Sequence, residues 1–349
     1  MEKIDRPAVI ILCFALWRCD GRVKTMFGLL RLLLAAAVAL AHAGYSLGPW
    51  HLGVPAVVGF YLISGYVTAA LIDRYHQGRQ QIGGFYADRA LRLLPQYYGY
   101  ALLGVLLWVV GVRSSFLAVT PTGGDWLANV FIVPLNYFMF TGQDRFTLVP
   151  PAWSLGAEIQ FYLLLPWLTL AGQWARRGFG TISLAVFVLA QVGWLNTDTF
   201  GYRLLPGILW IFLAGGMMYR QREASWWRAW LPAGLAAWVW LTALLLWPGL
   251  RQPFNVEVAL GLSVGLPAVA ALARLTPRRW DTAVGQLSYG VFLGHFAVLW
   301  LWPGLNSGER VPPLAYLAVI MSLAALSYAG WERPLAQWRR LHCRAVRCC

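Results

Sequence analysis

The sequence predicts an all-α polytopic membrane protein of about ten transmembrane helices, with both termini in the cytoplasm. Three observations carry that reading: the composition, the spacing of the apolar runs, and the placement of arginine between them. Of 349 residues, 59% are hydrophobic and 12% charged, against about 45–50% and about 25% in an ordinary soluble domain. Charge is scarce because an ionisable group held in hydrocarbon is costly. Twenty Trp and fifteen Tyr suit the membrane–water interfaces, where amphipathic rings settle. The net charge of +14 would also fit a nucleic-acid binder. The basic residues, however, stand in short clusters between apolar runs, where they set topology, so a lipid bilayer is the expected partner and nucleic acid is not.

A hydrocarbon core about 30 Å thick needs about 20 apolar residues in a helix. Ten segments qualify: 27–46, 53–73, 95–112, 152–172, 181–196, 203–219, 229–247, 255–274, 284–303 and 312–331. An eleventh stretch, 126–140, is short and holds Asn129, Pro134 and Asn136, which reads as re-entrant or interfacial. With the N-terminus inside and 126–140 not crossing, the outer segments carry only Arg113, Arg145, Arg203, Arg251 and Arg310. If 126–140 crossed, every later arginine cluster would face outward, against the positive-inside rule. Residues 8–17 are apolar but too short to span, and no small-residue cleavage site follows them. Residues 1–25 are therefore expected to be a cytoplasmic extension, with Met26 an alternative start. A membrane domain follows over 26–335, then a basic cytoplasmic tail over 336–349. The cysteines, Cys13, Cys19, Cys343, Cys348 and Cys349, lie near the two ends. Neither a disulfide framework nor a metal site with His342 is expected from that spacing.

In such a chain an ionisable residue at membrane depth is a functional candidate. Arg31 and His42 stand eleven residues apart, so they return to within about 20° of one helix face, about 16 Å apart along the axis. A neutral imidazole can accept a proton from a hydroxyl; the plain alternative is a snorkelling Arg and a packed His. Glu158 would lie about 9 Å below the start of its helix, at a depth comparable to His42. It needs a partner, for which His42 or an arginine is the natural choice, and the alternative is a structural ion pair. Ser154, Glu158 and Tyr162 share a face at i, i+4 spacing. Arg89 and Arg92, at i, i+3 before the third span, would project together if that segment is helical; two guanidiniums so placed can hold a phosphate, or serve as topological charge. His295 shares a face with Ser288, and that spacing alone reads first as a satisfied core histidine. Gly261-Leu-Ser263-Val-Gly265 has the nucleophile-elbow spacing, but an apolar helix is the wrong context. Its glycines suit close helix packing. Phosphate-loop, dinucleotide and zinc motifs are lacking from the sequence.

Taken in order, these segments resemble the acyltransferase family-three membrane proteins, the type that O-acetylates bacterial surface polysaccharides. Arg31 through His42 resembles that family's Arg-x10-His first helix. Gly59-Phe-Tyr-Leu-Ile-Ser-Gly65-Tyr66 is similar to its second helix, and Phe85 through Pro95 to its Arg-x-x-Arg entrance to the third. Trp153-Ser-Leu-Gly-Ala-Glu158-Ile-Gln-Phe-Tyr162 is very close to its Trp-Ser-Leu-x-x-Glu-x-x-Phe-Tyr. Arg203-Leu-Leu-Pro206 with Gly215, Ser288-Tyr289 with His295, and Glu332-Arg333-Pro334 follow in the family's order. Gly59 and Gly156 depart from it, standing where bulkier or polar residues are common.

The resemblance implies a bacterial inner-membrane O-acyltransferase acting on a surface carbohydrate such as lipopolysaccharide, or on a glycolipid. Acyl-CoA, most simply acetyl-CoA, would be a co-substrate, with Arg89 and Arg92 near its phosphates and no permanently bound cofactor or metal. His42 would act as general base or acyl carrier, and Arg31 and Glu158 would orient or balance the site. Ser154, Tyr162, Ser288 and His295 would line the acceptor cavity. Polysaccharide assembly proteins are conceivable partners. Two other classes stay open: a carrier of acyl groups or glycolipid working with a separate transferase, and a structural member of an assembly complex.

Overall fold

Apolar runs of this length leave the backbone one way to satisfy its own hydrogen bonds in hydrocarbon, the helix, and the computed structural model is all-α but for one short hairpin. It describes residues 25–75, 78–223, 227–228, 230–302 and 311–334. Residues 1–24 of the expected N-terminal extension, the C-terminal tail, the five cysteines and His342 lie outside the described residues.

The elements in order are α1 (Gly28–His42), the hairpin strands β1 (Ser46–Leu47) and β2 (Trp50–His51), α2 (Gly53–Tyr75), α3 (Ile82–Val109), α4 (Gly123–Phe131) and α5 (Phe138–Thr141). Then come α6 (Ala152–Leu170), α7 (Gly172–Gln191), α8 (Thr197–Phe200), α9 (Leu205–Arg220), α10 (Leu231–Leu246), α11 (Asn255–Leu272), α12 (Arg279–Trp300) and α13 (Pro313–Ser327). Five of these segments are long and apolar enough to cross a membrane, those built on α2, α9, α11, α12 and α13. The helices α1 and α10 are apolar but shorter. Long enough but less apolar are α3, interrupted by Asp88, Arg89 and Arg92, α6 by Glu158 and Gln160, and α7 by Arg176 and Arg177.

Two boundaries differ most from expectation. The third long helix begins at Ile82, not 95, and runs through Pro95, so Arg89 and Arg92 are helical. The helix α7 begins at Gly172, not 181, because Gly172 at φ 92° turns the chain directly from α6 into α7, a turn that suits glycine.

The helix α2 forms the axis of the bundle: 83% of its span is buried, against 17% for α13 at the rim. It packs on α9, α11 and α1, while α1 packs on α12 and α12 on α13. Close crossings bring these helices together. A Cβ on Gly65 would fall 1.9 Å from the Phe212 carbonyl oxygen, and one on Gly215 would fall 2.1 Å from that of Leu62, so only glycine lets α2 and α9 cross this closely. Gly261 meets Pro55 and Val58 in the same manner, which makes the Gly-x-Ser-x-Gly stretch a packing face. Leu33, Leu106, Val109, Trp167 and Leu314 stay exposed on the outside, as a lipid-facing surface requires.

Residues 123–141 form a broken element. Thr122 and Asp125 make a reciprocal cap for α4, and Ile132 at φ 67° ends it. Asn129 satisfies the freed backbone, donating to the Asp125 and Phe146 carbonyls and accepting from the Leu148 amide. Asn136 donates to the Arg203 carbonyl and accepts from Gln160. Gly156 lets the turn dock on α6: a Cβ there would sit 2.9 Å from the Ile132 oxygen. Gly156, one of the two glycines that depart from the family pattern, is thus the seat of the broken segment.

Candidate active site

The helix α1 stops at His42 as Gly44 adopts φ 88°, leaving the imidazole at the helix end and beside α12. There His42 Nδ1 lies 3.1 Å from His295 Nε2, across 253 residues of sequence. His295 is fully buried, and its Nδ1 lies 2.7 Å from the Phe292 carbonyl oxygen. A carbonyl only accepts, so Nδ1 of His295 carries the hydrogen. With both rings neutral, Nε2 of His295 is then an acceptor, and His42 donates to it from Nδ1. The remaining nitrogen of His42, Nε2, is left with its lone pair. Backbone geometry two residues removed thereby selects the tautomer of His42.

His42 lines a cavity of about 290 Å3 together with His51, Trp153, Ser154, Tyr202 and Arg203. Phe116, Phe138, Phe254, Phe292 and Phe296 add to its aromatic lining, beside the aliphatic Val38, Val54, Val57 and Leu135 and the polar Asp144 and Thr147. Arg203 Nε donates to Asp198 at 2.8 Å, and its guanidinium packs 4.5 Å from the Trp153 ring and 4.7 Å from that of Tyr202. Aromatic rings interspersed with polar side chains suit the apolar face and hydroxyls of a sugar ring.

The residues expected to share one chamber fall into two groups. Glu158 accepts hydrogen bonds from Ser64 and Tyr162, and Arg31 lies within electrostatic reach of Glu158, Tyr162, Arg89 and Arg92. Arg89 pairs with Asp88 and stacks 5.8 Å over Tyr162. Arg92 pairs with Glu332 at 2.7 Å and stacks 5.9 Å over Tyr289. Two guanidiniums, those of Arg89 and Arg92, are thus paired with carboxylates, Arg31 and Glu158 share their electrostatic neighbourhood, and none of these six residues lines the His42 cavity. Glu158 has an arginine neighbourhood in place of His42 because α6 starts inside the protein. Val149, Pro150, Pro151 and Ala152 are buried, and Pro150 and Pro151 line the cavity. A helix that begins at the cavity wall carries its seventh residue below the cavity.

The four residues expected to line the acceptor cavity also divide. Ser154 lines it. Tyr162 belongs to the arginine group, Ser288 bonds back to the Gly285 carbonyl, and His295 stands behind His42. His51 and Arg203 are in the wall without having been singled out. Arg203 was legible from its motif, whereas His51 carried only the signal of an ionisable group at the edge of the second span. Among the described residues, no group of three or more His, Cys, Asp or Glu is placed to hold a metal ion.

The family pattern described as the acyltransferase domain matches residues 27–332. The chain belongs to this acyltransferase family. An uncharacterized protein of Aquifex aeolicus is 34% identical over 52% of this chain and 83% of its own length. Nodulation protein 10 of Rhizobium leguminosarum is 27% identical over 90% of this chain and 94% of its own. The peptidoglycan O-acetyltransferase OatA of Listeria monocytogenes is 26% identical over 88% of this chain, which spans only 54% of OatA. No solved structure matches the acyltransferase. Its match extends from α1 to the segment after α13, so both the histidine pair and the arginine–carboxylate group fall within the family region.

Proposed function

We propose that this acyltransferase moves an acyl group, in the simplest case acetyl, from cytoplasmic acyl-CoA to a hydroxyl of a cell-surface carbohydrate or glycolipid, with His42 as general base. The carrying observation is His42 in the cavity wall with its Nδ1 held by a buried histidine, an arrangement that leaves Nε2 with the lone pair. That is the arrangement a base needs: one nitrogen oriented, the other available. The hydroxyl gives its proton to Nε2 as its oxygen attacks the acyl carbonyl, and the departing thiolate takes the proton back.

The ten helices of 15 residues or more among the described residues form ten spans, with α1 entering from the cytoplasm in a bacterial inner membrane and both termini inside. The Arg31 group then faces the donor and the His42 cavity the acceptor. Arg92 is the donor contact, because its side chain is 36% exposed against 15% for Arg89, and Arg89 is already enclosed by Asp88 and Tyr162. A carbohydrate acceptor is supported by the aromatic wall and by the peptidoglycan named for the Listeria relative. Purified protein incubated with acetyl-CoA and surface glycan should form acetylated glycan, read by mass spectrometry. His42→Ala should abolish transfer while keeping its thermal transition. Undiminished transfer by that variant defeats the reading.

A further inference from the structure

The cavity wall holds a second imidazole whose tautomer is set the opposite way. His51 ends the hairpin, in which Ser46 pairs with His51 and Leu47 with Trp50. Two contacts hold it. Its backbone amide donates to Glu257 Oε1 at 3.2 Å, a carboxylate buried in the first turn of α11. The amide of Gly53, the first residue of α2, donates to His51 Nδ1 at 3.2 Å. An amide only donates, so Nδ1 bears the lone pair and a neutral ring carries its hydrogen on Nε2. No described residue accepts from that Nε2–H. Glycine at 53 permits the approach: a Cβ there would stand 2.8 Å from His51 Cε1 and 3.1 Å from Nδ1. The ring centroid of His51 lies 5.6 Å from that of His42, edge to face at 70°.

The cavity therefore holds two imidazoles of opposite character: His42 presents an acceptor and His51 a donor. We propose that His51 is a catalytic residue whose Nε2–H donates to the oxyanion formed on the acyl carbonyl. The proposal rests on the acyl-transfer reading above. As the acceptor oxygen forms its bond to the carbonyl carbon, His42 takes the hydroxyl proton. The carbonyl π pair moves onto oxygen, and that oxygen accepts the His51 hydrogen bond without proton transfer. Collapse restores the carbonyl and breaks the carbon–sulfur bond, and the thiolate leaves with the proton from His42. A donor aimed at developing charge in a largely apolar wall is worth far more than the same donor in water. Burial, with a smaller push from Arg203, holds the His51 imidazole below its ordinary value against the opposing effect of Glu257, which keeps the ring neutral near pH 7.

The competing role is structural: Nδ1 of His51 caps the first turn of α2. Two substitutions separate the roles, because each preserves one nitrogen. His51→Asn keeps an acceptor near the Nδ1 position and removes the Nε2 donor; His51→Gln keeps an amide donor near Nε2 and loses the cap. With radiolabelled acetyl-CoA and a total surface-glycan extract of the producing cells, His51→Asn should lower kcat by about 100-fold, typical of a lost oxyanion donor, with KM for acetyl-CoA unchanged. His51→Gln should retain most of kcat. The reverse order, an active Asn variant and an inactive Gln variant, overturns the proposal in favour of the cap. His42→Ala run alongside keeps the two claims apart: if it is inactive while His51→Asn is fully active, only the role of His51 is lost; if it is fully active, the acyl-transfer reading itself is lost.

Discussion

His295 offers the sharpest perturbation of the site, because it touches His42 and does not line the cavity. In His295→Leu the acceptor for the His42 Nδ1–H disappears. A buried donor left unpaired costs about 1–3 kcal/mol. Moving the hydrogen to Nε2, which faces the cavity, relieves that cost and leaves the lone pair on the wrong nitrogen. At about 1.4 kcal/mol for each factor of ten, the base-competent tautomer falls by about 5- to 150-fold, and kcat falls with it. KM for acetyl-CoA should hold, since the donor group lies at the Arg31 end. His295→Gln can place an amide oxygen near the lost Nε2 and should recover a large part of kcat. The assay is steady-state acetyl transfer by purified enzyme, beside a thermal melt showing each variant folded. A folded Leu variant within twofold of the parent, or a Gln variant no better than Leu, refutes the tautomer argument.

Three further outcomes follow from other contacts. Asp281, buried at the start of α12, accepts from the Gly28 and Leu29 amides at 3.0 and 2.8 Å; Asp281→Ala orphans both and should cost about 3 kcal/mol, read by thermal or denaturant unfolding in detergent, with Asp281→Asn intermediate. Arg92→Ala should raise KM for acetyl-CoA by about tenfold, the scale of one charge-assisted hydrogen bond, whereas Arg89→Ala should lower folded yield by breaking its ion pair with Asp88; equal KM effects would contradict the division drawn between them. Because His51 titrates below its ordinary value when folded, the unfolded chain takes up the proton first as pH falls, so stability should decline from the ordinary histidine range down to the lowered value. The melting temperature of His51→Asn should show a shallower decline over that interval.

The glycines illustrate why part of the architecture was hidden in the residue order. That Gly261 and Gly265 form a packing face was legible from an apolar helical context. That Gly65 meets the carbonyl of Phe212, or Gly215 that of Leu62, was not, since neither partner follows from local spacing. The same holds for the broken segment. Its short length and its asparagines marked it as unable to continue as a helix, but only its docking on Gly156 says where it ends.

From the amino-acid order alone came the membrane class, the all-helical architecture, the approximate positions of the long helices, and Arg31, His42, Glu158 and the paired arginines as residues needing explanation. Those features are local: hydropathy is summed along a segment, and helical spacing assigns the face and height of a residue on its own helix. The tertiary structure decided which of those residues meet. It joined His42 to His295, gave Glu158 to the arginines, and brought His51 to the cavity. The reason is that the rotation and axial offset between helices come from turns, close glycine crossings and helices that start inside the protein, and an offset of one helical turn, about 5.4 Å, suffices to exchange one hydrogen-bond partner for another.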